Sequence, residues 1–470
     1  MITFEEAKEL SKGYKVVPIS MEIMSDIRTP MQVLRILKGV SSHCYMLESV
    51  ENQEKWGRYT FLGYDPKLEI TCTNGVMTVK NGKTEVSEVK HPGEKIKEIL
   101  KEYTSPKIKE LPTFTGGLVG YFSYDYIKYS EPKLNLDAND EEGFKDVDLM
   151  LFDKVIAFDN FSQKIIVIAN ARTENLREDY DRCVDEINKI IELIRTGEMV
   201  EVNPGKITSE FRPLFTEKEY CEMVEKAKHY IYEGDIFQVV LSNRLEADYE
   251  GSLLNAYRVL RTINPSPYMF YFSSDDIEVA GASPETLVKL EDGVLHTFPL
   301  AGTKPRGKNK EEDDELEKIL LTDEKERAEH NMLVDLGRND IGKISKFGTV
   351  EVENYMDILR YSHVMHIGST VKGEIRDDKT SLDAVDAVLP AGTLSGAPKI
   401  RAMEIINELE NNKRGIYGGA IGYIDFTGNL DTCIAIRTAF KKNGKVFVRS
   451  GAGIVADSVP ESEYNECINK

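Results

Sequence analysis

The chain has 470 residues, and its 60 Lys and Arg against 80 Asp and Glu give a formal net charge of −20. That balance argues against nucleic acid or an anionic membrane as the partner, but not against a small anion held in a pocket with its own arginine and backbone N–H groups. With 41% hydrophobic residues a sizeable core is available, and the length allows two or three domains.

Six cysteines (Cys44, Cys72, Cys183, Cys221, Cys433, Cys467) include no C-x-x-C pair, so neither a zinc motif nor a disulfide framework is expected. The N-terminus has no apolar signal-like region, and no run of 18 apolar residues follows. The expectation is a reduced, soluble, cytoplasmic protein.

To about residue 171 the chain is rich in β-branched and aromatic segments. These include YMLES, GRYTFLGYD, KLEITCTN, GVMTVKNGKTEVSEV, TGGLVGYFSYD, LMLFDKVIAFDN and KIIVIANA, separated by turn residues such as the two Asn-Gly pairs. Residues 101–112 read as a loop. A helix is predicted over 174–195, with Leu176, Cys183, Ile187, Ile190 and Ile194 in its stripe and Gly197 as its stop. Residues 196–213 read as a linker. Thr216 then caps a helix, with Glu219 completing a capping box. Beyond it, QVVLSNRLEA, PYMFYFS, IEVAGASPETLVKL, GVLHTFPLAGT, GAIGYIDFTGN, LDTCIAIRTAF and KVFVRSGAG read as strands. Residues 311–339, 382–388 and 399–410 read as helices.

Chemistry concentrates in two acidic stretches. In KERAEHNMLVDLGRND, Glu329 shares a helical stripe with Met332, Leu333 and Leu336, and Glu326 lies one turn earlier. In PESEYNECINK, Glu463 and Glu466 repeat the spacing. Carboxylates facing a low-dielectric site repel unless a cation joins them, and Mg2+ suits oxygen ligands. Taken alone, Glu326 and Glu463 read more simply as solvated helix faces. Alternation in LDTCIAIRTAF places Cys433, Ala435, Arg437 and Ala439 on one face, where an arginine among small residues can fork a carboxylate. SGAGIVA permits close backbone approach to an anion, but too few residues follow for a dinucleotide fold. Glu285, between small and apolar residues, is expected to be desolvated and protonated. His366 is a candidate acid or base. His330 reads as a core residue, and Asp335 and Asp340 as helix and cap contacts.

These residues carry a resemblance. From about residue 215 to 470, GDIFQVVLSNR, GASPETLV, PLAGTKPRG, KERAEHNMLVDLGRND, LPAGTLSGAPKIRAMEIINELE and GAGIVADSVPESEYNECINK are similar to the chorismate-utilising enzymes. That family includes anthranilate synthase component I, aminodeoxychorismate synthase component I, and the isochorismate and salicylate synthases. The resemblance implies an α/β (α+β) fold of two packed, mainly antiparallel sheets with outer helices. It implies a strand-rich region over 1–200, with a tryptophan feedback element, and a chorismate-binding region over 215–470. Glu329 and Glu466 would hold Mg2+, and Gly302, Thr303, Tyr417, Arg437, Gly451, Ala452 and Gly453 would bind chorismate. Glu285 and His366 would act as acid and base. Gln238 and Ala301 stand where relatives place lysines, which favours ammonia as the nucleophile. Ser49, Pro267, Tyr268 and Met269 would hold tryptophan. A glutamine amidotransferase subunit would supply the ammonia. The family's last helix is expected to run past Lys470. The alternatives are an aminodeoxychorismate synthase component I, or a catalytically silent tryptophan-binding regulator.

Overall fold

The computed structural model describes residues 1–49, 57–360 and 364–470. Residues 50–56 of the feedback segment, residues 361–363 before His366, and the Thr303 side chain lie outside that description.

Each of two large sheets draws strands from both the early and the late part of the chain. Among the described residues one sheet has 13 strands and the other 12, and every strand pairing is antiparallel. In the first sheet the two parts join where Cys44–Glu48 pairs with Tyr268–Ser273. In the second they join where Gly117–Phe122 pairs with Ala420–Asp425. Neither sheet is complete without both parts.

The alternation of side chains along each strand explains the layering. Tyr45, Phe61 and Phe270 of the first sheet meet Tyr121, Met150 and Phe152 of the second in an aromatic layer. Tyr45 and Phe152 touch edge-to-face with ring centroids 4.7 Å apart, a favoured geometry for aromatic pairs. The opposite faces bury against helices. Pro30–Val40 and Leu176–Thr196 cover the first sheet, while Ser381–Val388 and Glu324–Gly342 cover the second. Thr216 forms the expected capping box with Glu219, at the start of Glu217–Tyr232.

Several predicted elements change shape. IEVAGASPETLVKL is two strands, Glu278–Ser283 in the first sheet and Thr286–Glu291 in the second. Pro284 cannot donate to a ladder, so the chain leaves one sheet there and enters the other. LDTCIAIRTAF divides in the same way into Leu430–Ile434 and Thr438–Lys442, and Arg437 sits at the crossing with φ +52°. GVLHTFPLAGT likewise breaks into Val294–Thr297 and Leu300–Pro305. The predicted helix over 311–339 is two helices, Lys310–Thr322 and Glu324–Gly342. Asp323 caps the second by accepting from the N–H groups of Lys325 and Glu326. Gly197 does end its helix, but at φ −59°, so it is not a left-handed stop. The linker over 196–213 contributes two short strands, Lys206–Ile207 and Arg212–Pro213, to the edge of Gln238–Glu250. The helices Phe4–Leu10, Pro30–Val40 and Pro92–Lys101 escape the sequence reading. All are short, and stability at that length comes from packing rather than propensity. No helix among the described residues is long and apolar enough to cross a membrane.

Behind the late strands lies a buried ionic cluster. Glu410, at the end of the helix Lys399–Glu410, accepts from Arg414 (2.6 and 3.0 Å), Arg449 (2.7 Å) and the N–H of Ser242 (2.8 Å). All three charged side chains are 1% exposed. Burial pushes the Glu410 carboxyl up, but the two arginines outweigh it and hold the group below its usual range. Removing one charge from such a cluster strands the others in low dielectric. Glu410→Gln is therefore expected to cost about 3–5 kcal/mol in urea unfolding. A loss under about 1 kcal/mol, as for a surface pair, would contradict that account.

Candidate active site

The two sheet crossings lie side by side. Glu278–Ser283 pairs with Thr438–Lys442 in the first sheet, and Thr286–Glu291 with Leu430–Ile434 in the second. Across the gap the Ala282 N–H donates to the Arg437 carbonyl (3.2 Å) and the Ile434 N–H to the Glu285 carbonyl (3.0 Å). Glu285 and Arg437 are thus fixed at the place where neither sheet fills the space with regular structure. Burial pushes the Glu285 carboxyl up to about 7, although the Thr393 hydroxyl, donating at 3.0 Å, and the nearby Arg437 charge both pull it down.

Leu300–Pro305 shifts register against Val364–Glu374 between Ala301 and Lys304. Such a bulge re-aims the chain beside a site. Gly302 occupies it at φ +67°, where a side chain would meet Glu326 Oε2 at 3.0 Å. The Gly302 carbonyl lies 2.9 Å from His366 Nδ1. A carbonyl only accepts, so Nδ1 carries the ring proton and Nε2 is the basic nitrogen. Burial lowers the His366 pKa; the Gly302 bond raises it and Arg437 lowers it further, leaving the ring neutral near pH 7.

Gly451 and Gly453 are not in a turn. They continue the strand Lys445–Ile454 and pair opposite Ser242 and Val240. A methyl at Gly451 would lie 2.8 Å from the Tyr417 hydroxyl, and one at Gly453 would lie 2.7 Å from the Gln238 amide nitrogen. Ala452 points away into the core cluster behind the strand. The ladder to Thr438–Lys442 stops at Val448, which leaves the other edge of this Gly-Ala-Gly segment outside that pairing. Tyr417 is buried, and its hydroxyl is pushed well above the usual range.

The acidic pairs enter from two helices. Glu326 and Glu329 lie in Glu324–Gly342, Glu463 and Glu466 in Pro460–Asn469. The inward stripe of the first helix runs through His330, Leu333 and Val334, so Glu329 flanks it half-buried rather than lying on it. Burial raises the Glu326 carboxyl and Glu329 raises it further; burial likewise raises Glu463, with Glu466 adding to it. Lys325 acts on both Glu326 and Glu463. Glu466 is half-exposed and pairs at 2.5 Å with Lys470, whose amine also donates to the Gly451 carbonyl at 3.1 Å. No three of these carboxylates bring their oxygens within 4.8 Å of one another. Mutual repulsion on hard oxygen donors is what a divalent cation relieves, so the residues fit Mg2+.

The remaining acids and histidine are structural. Asp335 pairs with Arg338 on its own helix (2.9 Å), and Asp340 with Lys343 (3.3 Å) and the distant Lys399 (2.6 Å). His330 is fully buried, 2.6 Å from Ser369 Oγ, and burial lowers it to about 4. Thr393 escaped the sequence reading, because nothing local tells which of the hydroxyls in LPAGTLSGAP meets a carboxyl more than a hundred residues away.

Ser49, Pro267, Tyr268 and Met269 share a second place. They line a cavity of about 450 Å3 that Arg58, Asp431 and Cys433 also border. Its far wall includes Gly368, Ser369 and Thr370, from the strand that carries His366.

The family model for chorismate binding enzymes matches residues 42–470. The chain belongs to that family. Anthranilate synthase component 1 of Acetivibrio thermocellus is 48% identical, covering all of this chain and 96% of the relative; that of Aquifex aeolicus is 46% identical over the same shares. The crystal structure of anthranilate synthase component I from Streptococcus pneumoniae TIGR4 superposes with a TM-score of 0.78 at 39% identity, over 95% of this chain and 98% of that one. The menaquinone-specific isochorismate synthase of Escherichia coli shares the fold with a TM-score of 0.72 at 18% identity, over 99% of this chain and 97% of that one. Within the family the chain groups with the anthranilate synthases, as an enzyme of the lyase type.

The raised Glu285 carboxyl has a sign that stability can test. Between about pH 4.5 and 7 the folded chain binds a proton that the unfolded chain has released, so this group's contribution falls as pH rises. Above pH 7 the cost is on the order of 3 kcal/mol. Glu285→Gln is expected to be more stable than wild type at pH 8 and indistinguishable at pH 4 in urea unfolding. Equal stabilities at both pH values would mean that the carboxyl is not held near 7.

Proposed function

We propose that this chain converts chorismate and ammonia to anthranilate and pyruvate as the aminating component of an anthranilate synthase in tryptophan biosynthesis. Ammonia would come from a glutamine amidotransferase subunit, and the setting would be cytoplasmic. The observation that carries the reading is a buried carboxyl acid with a pKa of about 7 beside an arginine at the sheet crossing, in a chain with Gln238 and Ala301 at motif positions where the resemblance places lysines.

Glu329 and Glu466, with Glu326 and Glu463 beside them, would hold Mg2+, which when bound supplies positive charge for the ring carboxylate of chorismate. Arg437 takes the enolpyruvyl carboxylate as a fork. The Gly302 bulge, Thr303, Tyr417 and the open edge of Gly451–Gly453 seat the ring. Glu285, protonated near neutral pH, gives its proton to the departing 4-hydroxyl while ammonia adds at C2, and water leaves. Gln238 cannot deprotonate water, and ammonia needs no such help. His366, neutral with a basic Nε2, then takes the C2 proton; pyruvate leaves and the ring becomes aromatic.

The same reading makes the 450 Å3 cavity a feedback site for tryptophan. Its one wall carries Ser49 and Met269, and its other wall belongs to the His366 strand. Inhibition then requires a difference in tryptophan affinity between two arrangements of those walls.

Incubation with chorismate, Mg2+ and ammonium should give fluorescent anthranilate and one equivalent of pyruvate by chromatography. His366→Ala should slow the second step more than the first and accumulate the aminated, enolpyruvyl-bearing intermediate. A 4-amino product from wild type would instead establish an aminodeoxychorismate synthase. Ser49→Leu should bind tryptophan at least tenfold more weakly by calorimetry while turnover without tryptophan stays within twofold. Lost turnover with unchanged tryptophan binding would make that wall structural only.

A further inference from the structure

The two strands that line the cavity end, at their other termini, in a second cluster of side chains. His43 immediately precedes Cys44–Glu48, and Asp275 lies in the turn after Tyr268–Ser273. From the second sheet, Glu69 of Leu68–Thr73 reaches the same point. His43 Nε2 stands 3.2 Å from Glu69 Oε2 and 3.8 Å from Asp275 Oδ1. Among the described residues this is the one trio of His, Cys, Asp or Glu whose ligand atoms all lie within 4.8 Å of one another.

The imidazole is set as a ligand would be. Its Nε2 is buried yet makes no hydrogen bond, although two carboxylate oxygens are near. Its axis therefore points at neither oxygen. A buried ring nitrogen without a partner asks for an explanation, and an ion is one. The far nitrogen, Nδ1, lies 3.0 Å from Ser42 Oγ, and that hydroxyl is 3.3 Å from Asp275 Oδ1. Ligating histidines are commonly oriented in this way through their other nitrogen. Lys80 stands 3.7 Å from Glu69 and 3.9 Å from Asp275, too far for hydrogen bonds, and offsets part of their charge.

We propose that His43, Glu69 and Asp275 bind a divalent transition-metal ion of the zinc class, one nitrogen and two oxygens from the chain with water completing the shell. Tetrahedral ligands 2.0–2.1 Å from zinc stand about 3.3 Å apart, and the two separations from Nε2 fall on either side of that value. An imidazole ligand selects against Mg2+ and Ca2+. The exposed Asp275 leaves the site open to solvent, and the bound ion would tie the first sheet to the second at the far end of the Cys44–Glu48 and Tyr268–Ser273 ribbon.

The test uses chelator-treated full-length chain titrated with Zn2+ by calorimetry, and with Co2+ for its visible absorption. The acidic pairs on the two late helices also have affinity for Zn2+, so the readout is the difference between variants. His43→Ala should lose one equivalent of Zn2+ and the tetrahedral Co2+ band. Asp275→Asn, a change in an exposed turn, should weaken that same equivalent about 100-fold or more. Neither should alter Mg2+-dependent turnover with ammonium. Identical stoichiometry and affinity in wild type, His43→Ala and Asp275→Asn would overturn the proposal and leave the trio an ion pair only.

Discussion

The buried Glu410–Arg414–Arg449 cluster fixes the geometry on which the active site depends. Each charge there is satisfied by a group from a different element. Arg414 also donates to the carbonyls of Leu394 (2.6 Å) and Val240 (2.7 Å), and Arg449 to Ser242 Oγ (2.8 Å) and Asn412 Oδ1 (2.9 Å). Leu394 follows Thr393, the partner of Glu285. Val240 and Ser242 pair with Gly453 and Gly451. One ionic cluster thus ties the hydroxyl partner of Glu285 to the Gly451–Gly453 segment. In low dielectric such a cluster tolerates few alternative arrangements, which suits it to specifying position more than to adding net stability.

The catalytic candidates sit where regular structure stops. Two neighbouring segments leave one sheet and enter the other together, and their backbones bond to each other across the gap. Desolvation is the condition that lifts a carboxyl toward neutrality. Glu285 meets that condition, its burial outweighing the pull of the Thr393 hydroxyl and the Arg437 charge.

The 450 Å3 cavity and the His366 site share a strand. Val364–Glu374 carries His366 toward Gly302 and lends Gly368, Ser369 and Thr370 to that cavity. Behind it Ser369 Oγ accepts from the Met356 N–H at 3.0 Å and lies against His330, next to Glu329 on the acidic helix. The cavity wall, His366 and the helix of Glu326 and Glu329 are thus joined through one strand and its packed neighbours.

By itself the sequence determined the type of most of the strands and of the longer helices, the capping box at Thr216, the helix Lys399–Glu410, the acidic stretches and, through motifs spread over most of the late region, the family. These are local properties: periodicity, capping and residue type act within a few positions. Arg437 was legible as a candidate, but by the wrong route. Alternation in one continuous strand was expected to aim it, whereas a sheet crossing at positive φ does so. The helix over 311–339 hid a break, because an Asp that caps looks like any other acid until its N–H partners are known. Only the tertiary structure decided that Thr393 meets Glu285, that Glu326 rather than Glu329 presses on Gly302, and that His43, Glu69 and Asp275 converge from two sheets. Those contacts join residues tens to hundreds of positions apart. Their geometry is set by strand order and by the packing between sheets, and no window of sequence contains either.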